Sequence, residues 1–329
     1  MKGRVFSGMR PTGRMHIGNY LGAVQNWVAL QQEYDCIYCA VDIHALTTMK
    51  PQETRELQTL VREMVLDWLG AGIDPKRSIV FVQSHVPEVT ELHTLLSMVT
   101  PLGWLLRVPT FKEKVRQMKE TEESVNYGLV GYPVLQTADI ILYKADTVPV
   151  GEDQLPHLEL AREIVRRFNH LFGPTFPEPQ AKLTTAPLIL GLDGQQKMSK
   201  SLDNHMDIAA TPQETRARVM SMVTDPQRIR RVDPGHPEVC NVWKLHHHFN
   251  PERVEQIARD CRAAAIGCVE CKGILADGIN RYFAEFRERR ADFARNPAAV
   301  DEVLAEGARR AGVIARKTID EVRQRMGLR

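Results

Sequence analysis

The chain has 329 residues, with 43 Lys and Arg against 41 Asp and Glu, so its formal net charge of +2 gives no strong overall field pointing to nucleic acid or membrane. That length buries a large core and predicts a split into two domains. No apolar run approaches the roughly 20 residues of a bilayer span, and Met1 to Arg10 lack a basic-then-apolar leader, so a cytoplasmic protein with 6 reduced cysteines is expected.

In chain order, residues 4–7 read as a short buried strand. Pro11, Gly13 and Gly18 then make a turn, and residues 19–31 have helical spacing through Tyr20, Val24, Trp27 and Leu30. Residues 36–41 are β-branched and apolar enough for a second strand. Residues 51–69 read as a helix with proline in its first turn and Gly70 and Gly72 at its end, and 78–83 as a third strand. This alternation predicts a parallel sheet with right-handed crossovers and a ligand at the carboxyl ends of its strands. Helical text runs over 88–119 and is broken at 128–133. Apolar runs at 138–143 and 147–150 follow, then a helix over 154–169 and a proline-rich connector over 172–179. After Ser201 strand signal is sparse. Val300, Leu304, Gly307, Ala311, Ile314, Thr318 and Val322 keep one helix face nearly to the end. A sheet-based first domain and a helical second domain is the economical parse. Residues 205–329 carry 22 Lys and Arg against 18 Asp and Glu, a surplus compatible with RNA contact.

Two motifs carry chemistry. His16-Ile17-Gly18-Asn19 opens the first helix, where free backbone N–H groups and the positive dipole end suit phosphate oxygens. Taken alone it also reads as a capped helix with a chance histidine. Lys197-Met198-Ser199-Lys200-Ser201 follows Gly191-Leu192-Asp193-Gly194, and two lysines on a loop can neutralise charge on a departing pyrophosphate. A solvated basic turn is the plain alternative.

Together the two motifs resemble the paired signatures of the class I aminoacyl-tRNA synthetases. Phe111-Lys112-Glu113-Lys114, Gly151-Glu152-Asp153-Gln154 and the run from Tyr132 through Gln136 to Asp139 look like the tryptophan-specific members. The likeness spans Phe6-Ser7-Gly8 to Met326-Gly327-Leu328. The family usually has a second histidine, or asparagine, where Asn19 stands.

The resemblance implies an α/β fold: a Rossmann-like parallel-sheet catalytic domain over 1–205, including the lysine loop, then an α-helical tRNA anticodon-binding domain over 206–329 whose last helix packs back on the first. It implies a ligase that activates L-tryptophan with ATP and Mg²⁺, then passes it to tRNA(Trp), acting as a homodimer with no membrane. Lys114, Lys197 and Lys200 would be catalytic. Arg10, Thr12, His16, Gly18, Asn19 and Asp153 would hold ATP together with Lys197, Met198, Ser199, Lys200 and Ser201. Phe6, Gly8, His44, Val148 and Val150 would form the indole slot beside Gln136, where some members have methionine. Tyr132 and Gln154 would hold the α-amino group, and the Asp139 carboxylate would accept the indole N–H. An N-cap role is the structural alternative for Asp139. The segment from Leu92 to Phe111, with Trp104 and Leu105, is the expected dimer face.

Cys240, Cys261, Cys268 and Cys271 follow the spacing Cys-x20-Cys-x6-Cys-x2-Cys. Four thiolates can close an S₄ site or hold a [4Fe–4S] cluster, and a subgroup of the family carries such a cluster with the same last two intervals. Zinc and plain buried thiols are the alternatives. Cys36 and Cys39 lie three apart in a strand, point to opposite faces and are expected to pack. His246, His247 and His248 splay around a helix and are expected to face solvent or RNA. Arg228, Arg230 and Arg231 form a basic turn suited to a tRNA backbone, or an ordinary charged loop.

Overall fold

The computed structural model describes residues 1–117, 121, 124–183 and 188–328, with the side chains of Lys114 and Gln117 set aside. Strands β1 (Arg4–Met9), β2 (Asp35–Ala40), β3 (Ile79–Val82), β4 (Thr147–Val150) and β5 (Gln180–Leu183) pair in the order β3-β2-β1-β4-β5, all parallel. Parallel strands are buried on both faces, which is why β1 to β3 read as continuous apolar runs. The order reverses at β1, so the crevice beyond its carboxyl end is where such sheets bind ligands. Cys36 and Cys39 are fully buried in separate apolar clusters on the two faces of the sheet.

Several segments differ from the sequence reading. The expected helix over 51–69 begins as a 3₁₀ turn, Glu53–Glu56, and continues as Leu57–Ala71, ended by Gly72 at φ 104°, a left-handed position that favours glycine. Within the described part of 88–119 there are three helices, Glu88–Ser97, Leu102–Leu106 and Pro109–Gln117, because Pro101 and Pro109 restart the chain. The predicted break at 128–133 is absent. A single helix, Tyr127–Leu142, runs through Pro133, and the Thr137 hydroxyl donates to the Pro133 carbonyl at 2.8 Å. Burial of Tyr132, Val134, Leu135, Ala138 and Ile141 outweighs the local cost of proline. This helix interior holds Asp139, which caps nothing. The connector at 172–179 leads into β5, a short edge strand the sequence did not announce.

The Pro297–Arg325 helix crosses the β3 edge of the sheet. Val300 and Leu304 pack into the cluster on one face, while Ala311, Ala315, Ile319 and Val322 pack into the other. Gly307 sits at the crossing, where an added Cβ would lie 1.8 Å from the Val80 carbonyl oxygen. Arg310 donates to the carbonyls of Pro75 and Ser78 at 2.8 and 3.3 Å, so the helix blunts the exposed strand edge.

Glycine to alanine within a helix ordinarily stabilises by up to about 1 kcal/mol. Gly307→Ala should do the opposite, lowering stability by about 1–3 kcal/mol through overpacking. Urea unfolding checks the sign; a stabilised variant would show that the close approach is not real.

Candidate active site

A cavity of about 410 Å³ opens at the carboxyl ends of β1, β2 and β4. Phe6, Val41, Val148 and Val150 supply apolar walls, and Phe6 stacks on Tyr143 with ring centroids 5.5 Å apart. Phe6, Gly8, His44, Tyr132, Gln136, Asp139, Val148, Val150 and Gln154 all line this one cavity, as does Arg10. Trp27, Thr47, Thr110 and His157 line it too and carry no motif that marks them in advance. A cavity with apolar walls that also presents His44, Gln136, Asp139 and Gln154 suits an aromatic ligand with polar substituents.

Asp139 is 2% exposed and heavily hydrogen-bonded. Gln83 Nε2 donates to both of its carboxylate oxygens at 2.8 Å, and His44 Nε2 lies 2.9 Å from Oδ2. Gln83 was not singled out from sequence. Its one visible signal is an amide placed directly after an apolar strand, at the edge where ligands bind. Tyr132 Oη, Thr110 Oγ1 and His157 Nε2 form a triangle with sides of 2.7 to 2.8 Å that fixes the phenol at the cavity wall. Gln154 donates to Asp153 at 2.8 Å, and Asp153 stands exposed outside the cavity lining.

The two motifs, far apart in sequence, meet in space. Ile17 N–H donates to the Met206 carbonyl at 2.9 Å and Ile208 N–H to the Met15 carbonyl at 3.0 Å. Lys200 Nζ donates to the Thr12 carbonyl at 2.7 Å, and burial lowers its pKa. Added carbon at Gly18 would come within 3.1 Å of the His16 ring and 3.4 Å of Met198 Cβ, so glycine there lets the two motifs touch. Met198 anchors its loop in the core, Ser199 and Ser201 hydroxyls pair at 2.9 Å, and Asn204 Oδ1 accepts from Ser199 N–H at 2.8 Å. Lys197 is exposed. Lys114 belongs to the Pro109–Gln117 helix, but its side chain lies outside the described residues.

His16 and Asn19 cap the first helix reciprocally. His16 Nδ1 accepts from Asn19 N–H at 3.2 Å, and Asn19 Oδ1 accepts from His16 N–H at 3.3 Å. With Nδ1 accepting, the proton of the neutral ring sits on Nε2. Burial lowers the His16 pKa to about 4, reinforced by repulsion from His205, Lys200 and Lys197. Beneath this turn, Asp67 Oδ2 accepts from Met15 N–H and its Oδ1 from Arg290 Nε, both at 2.5 Å. Burial pushes the Asp67 carboxyl up to about 6 against the pull of Arg290.

The four C-terminal cysteines line a second cavity of about 20 Å³ with Val242, Trp243, Ile257, Ile266 and Arg228. Among the described residues, no three His, Cys, Asp or Glu side chains gather closely enough to hold a metal as they stand. The four-thiol donor set fits a soft metal site nonetheless, with Val242, Trp243, Ile257 and Ile266 around it and Thr224, Asp225 and Arg228 as its polar neighbours. Arg228 is buried there without an ion-pair partner among the described residues. Its Nη1 is 3.9 Å from Cys261 Sγ, and its Nε has no hydrogen-bond acceptor. Of the basic turn only Arg230 and Arg231 face outward, which corrects the reading of Arg228. His246 is also corrected. It is fully buried because it shares a helix face with Val242, Leu245 and Phe249, and its Nε2 lies 3.5 Å from Cys271 Sγ.

A His16 pKa below the unfolded value near 6.5 means that this residue destabilises the fold as pH falls from about 6.5 toward 4. Titration followed by ¹⁵N NMR should show His16 neutral, with its proton on Nε2, until about pH 4. A midpoint near 6.5 would contradict the buried, cation-flanked environment.

The family model for class I tRNA synthetases (W and Y) matches residues 1–284. A tryptophan–tRNA ligase of Thermotoga maritima is 45% identical, with 99% of each chain covered. That of Aquifex aeolicus is 40% identical, covering 99% of this chain and all of the other. The fold superposes on the tryptophanyl-tRNA synthetase of Campylobacter jejuni, solved with ADP and tryptophan, at a TM-score of 0.89 and 33% identity, with 99% and 100% of the two chains covered. The chain therefore belongs to the class I tRNA synthetases of the tryptophan and tyrosine group, and its activity is that of a tryptophan–tRNA ligase.

Proposed function

We propose that the cavity beside β1 and β4 holds L-tryptophan, with Asp139 accepting the indole N–H and the joined His16 and Lys197–Ser201 motifs holding ATP. The observation that carries this is the placement of a buried, ionisable acceptor in an apolar slot next to two phosphate-handling motifs in mutual contact. Tyr132 and Gln154, at the polar end of the slot, receive the α-amino group.

The tryptophan carboxylate attacks the α-phosphate, the bond to the β-phosphate oxygen breaks, and pyrophosphate leaves. The terminal ribose hydroxyl of tRNA(Trp) then attacks the acyl carbon and AMP departs. No covalent enzyme intermediate is needed, so the protein supplies positioning and charge. Neutral His16 donates one hydrogen bond from Nε2 to a phosphate oxygen, beside Asn19 and Gly18. Lys197 and Lys200, with Lys114, counter the charge that accumulates on the leaving pyrophosphate; Mg²⁺ bound with ATP would add further positive charge there. Lys200 reaches that role by leaving the Thr12 carbonyl, a short-range exchange of one acceptor for another. Arg10, Thr12 and Asp153 complete the nucleotide site.

Residues 1–205 form the catalytic domain and 206–329 the anticodon-binding domain of a cytoplasmic enzyme. Met98 and Leu102, 71% and 60% exposed, with half-buried Trp104, form the outward apolar face for a homodimer. Leu92, Leu105 and Phe111 lie in the core and serve that face from behind. Cys240, Cys261, Cys268 and Cys271 would hold a [4Fe–4S] cluster beside the Arg228 guanidinium, whose Nη2 donates to the Arg231 and Ile266 carbonyls; its chemistry there would be structural, away from the reacting atoms.

Lys200→Ala should lower the rate of tryptophan-dependent ATP–pyrophosphate exchange by about 10²–10³-fold while tryptophan Kd changes less than about twofold. An equal loss in both would remove the leaving-charge role. Anaerobically purified protein should carry about four iron and four sulfide per chain and absorb near 400 nm; stoichiometric zinc without iron would replace the cluster with an S₄ zinc site.

A further inference from the structure

Gln83 follows β3 and is completely buried. Its Oε1 accepts from Ile43 N–H at 3.1 Å and His44 N–H at 3.3 Å, both on the turn that follows β2. That turn is stitched to its neighbour by Asp42, whose Oδ1 accepts from Ser84 N–H and Ile43 N–H, each at 3.0 Å. The carboxyl ends of two adjacent parallel strands are thus fastened together. The fastening aims two side chains, Gln83 and His44, at a third element, the Tyr127–Leu142 helix.

Both aim at Asp139. Gln83 Nε2 donates to Oδ1 and Oδ2 at 2.8 Å, and His44 Nε2 meets Oδ2 at 2.9 Å. An ionised carboxylate only accepts, so His44 Nε2 must carry a proton. Such a group offers roughly four lone-pair directions. Three are occupied here, which leaves one, on Oδ1.

We propose that Gln83 is a specificity-determining positioning residue: with His44 it fills all but one acceptor direction of Asp139 and dedicates the remaining one, on Oδ1, to the indole N–H. This rests on the reading that Asp139 accepts that N–H. Without the clamp the carboxylate is free to turn, and water or another internal donor can satisfy it when the ligand does not. With the clamp, a ring lacking N–H leaves the one remaining acceptor direction of a buried carboxylate unfilled, and rejection of that ring is strong.

The test compares L-tryptophan with its isostere 3-(benzothiophen-3-yl)-L-alanine, which carries sulfur in place of N–H, in ATP–pyrophosphate exchange. The parent enzyme should prefer tryptophan by at least about 100-fold in kcat/KM. Gln83→Met and Gln83→Glu remove the amide donor, and the second keeps an acceptor for Ile43 and His44 N–H. Each should cut the preference at least tenfold, chiefly through the KM for tryptophan, with KM for ATP and exchange with the sulfur analogue changed less than about threefold. A parallel loss for both amino acids and ATP would mark Gln83 as merely structural and overturn the proposal. If Asp139→Asn retains the parent preference, the indole reading fails and the proposal with it. If Asp139→Asn loses it while both Gln83 variants keep it, only the proposal fails. Should neither variant fold, a crystal structure of the parent enzyme with tryptophan decides: the indole nitrogen belongs on Oδ1 with Gln83 still bridging both oxygens, and an indole on Oδ2 or a displaced Gln83 refutes the clamp.

Discussion

Two antiparallel backbone hydrogen bonds, from Ile17 to Met206 and from Ile208 to Met15, tie the start of the first helix to the segment just after the lysine loop. Without them, the two motifs would be unrelated surfaces. With them, the helix start, the Gly18 contact with Met198 and the Lys200 bond to Thr12 become one rigid cradle. Asp67 extends the same constraint downward, because its carboxylate holds the Met15 amide and Arg290 together. Arg290 belongs to the helical part of the chain, so that part is fastened directly beneath the turn that opens the first helix.

The active site divides its electrostatics by burial. Around the two motifs, exposed Lys197 and half-buried Lys200 carry positive charge, while burial, reinforced by His205 and the same cations, keeps His16 neutral. In the cavity, the buried Asp139 carboxylate accepts from Gln83 and meets His44 instead of an arginine or lysine. A strong counter-ion there would compete with a ligand N–H. An amide donor such as Gln83 orients the acceptor without exhausting it.

Much of this arrangement is local and therefore readable from sequence. Strands β1 to β3 announce themselves as buried apolar runs, and the His16–Asn19 and Lys197–Ser201 motifs stand out as consecutive residues. The rest depends on contacts between distant segments. β5 has only four residues, Gln180–Leu183, half-exposed at the edge, and lacks a periodic signal. The Tyr127–Leu142 helix violates local preference at Pro133 and survives through burial on most of its surface. Gln83 gains meaning only when β3 lies beside β2 and beneath Asp139. His246 was legible after all, since its spacing from Val242 and Phe249 places it on the buried face.

The Pro297–Arg325 helix carries a consequence for how the polypeptide acquires its shape during synthesis. Ser78 and Arg310, bonded across the sheet edge, are 232 residues apart in sequence. A nascent chain that has emerged from the ribosome with β1, β2 and β3 complete still lacks the element that covers the rim of its sheet. At elongation speeds of roughly 5–20 residues per second, that rim stays bare for on the order of ten seconds or more. Molecular chaperones therefore have a defined interval, and one defined strand, to protect.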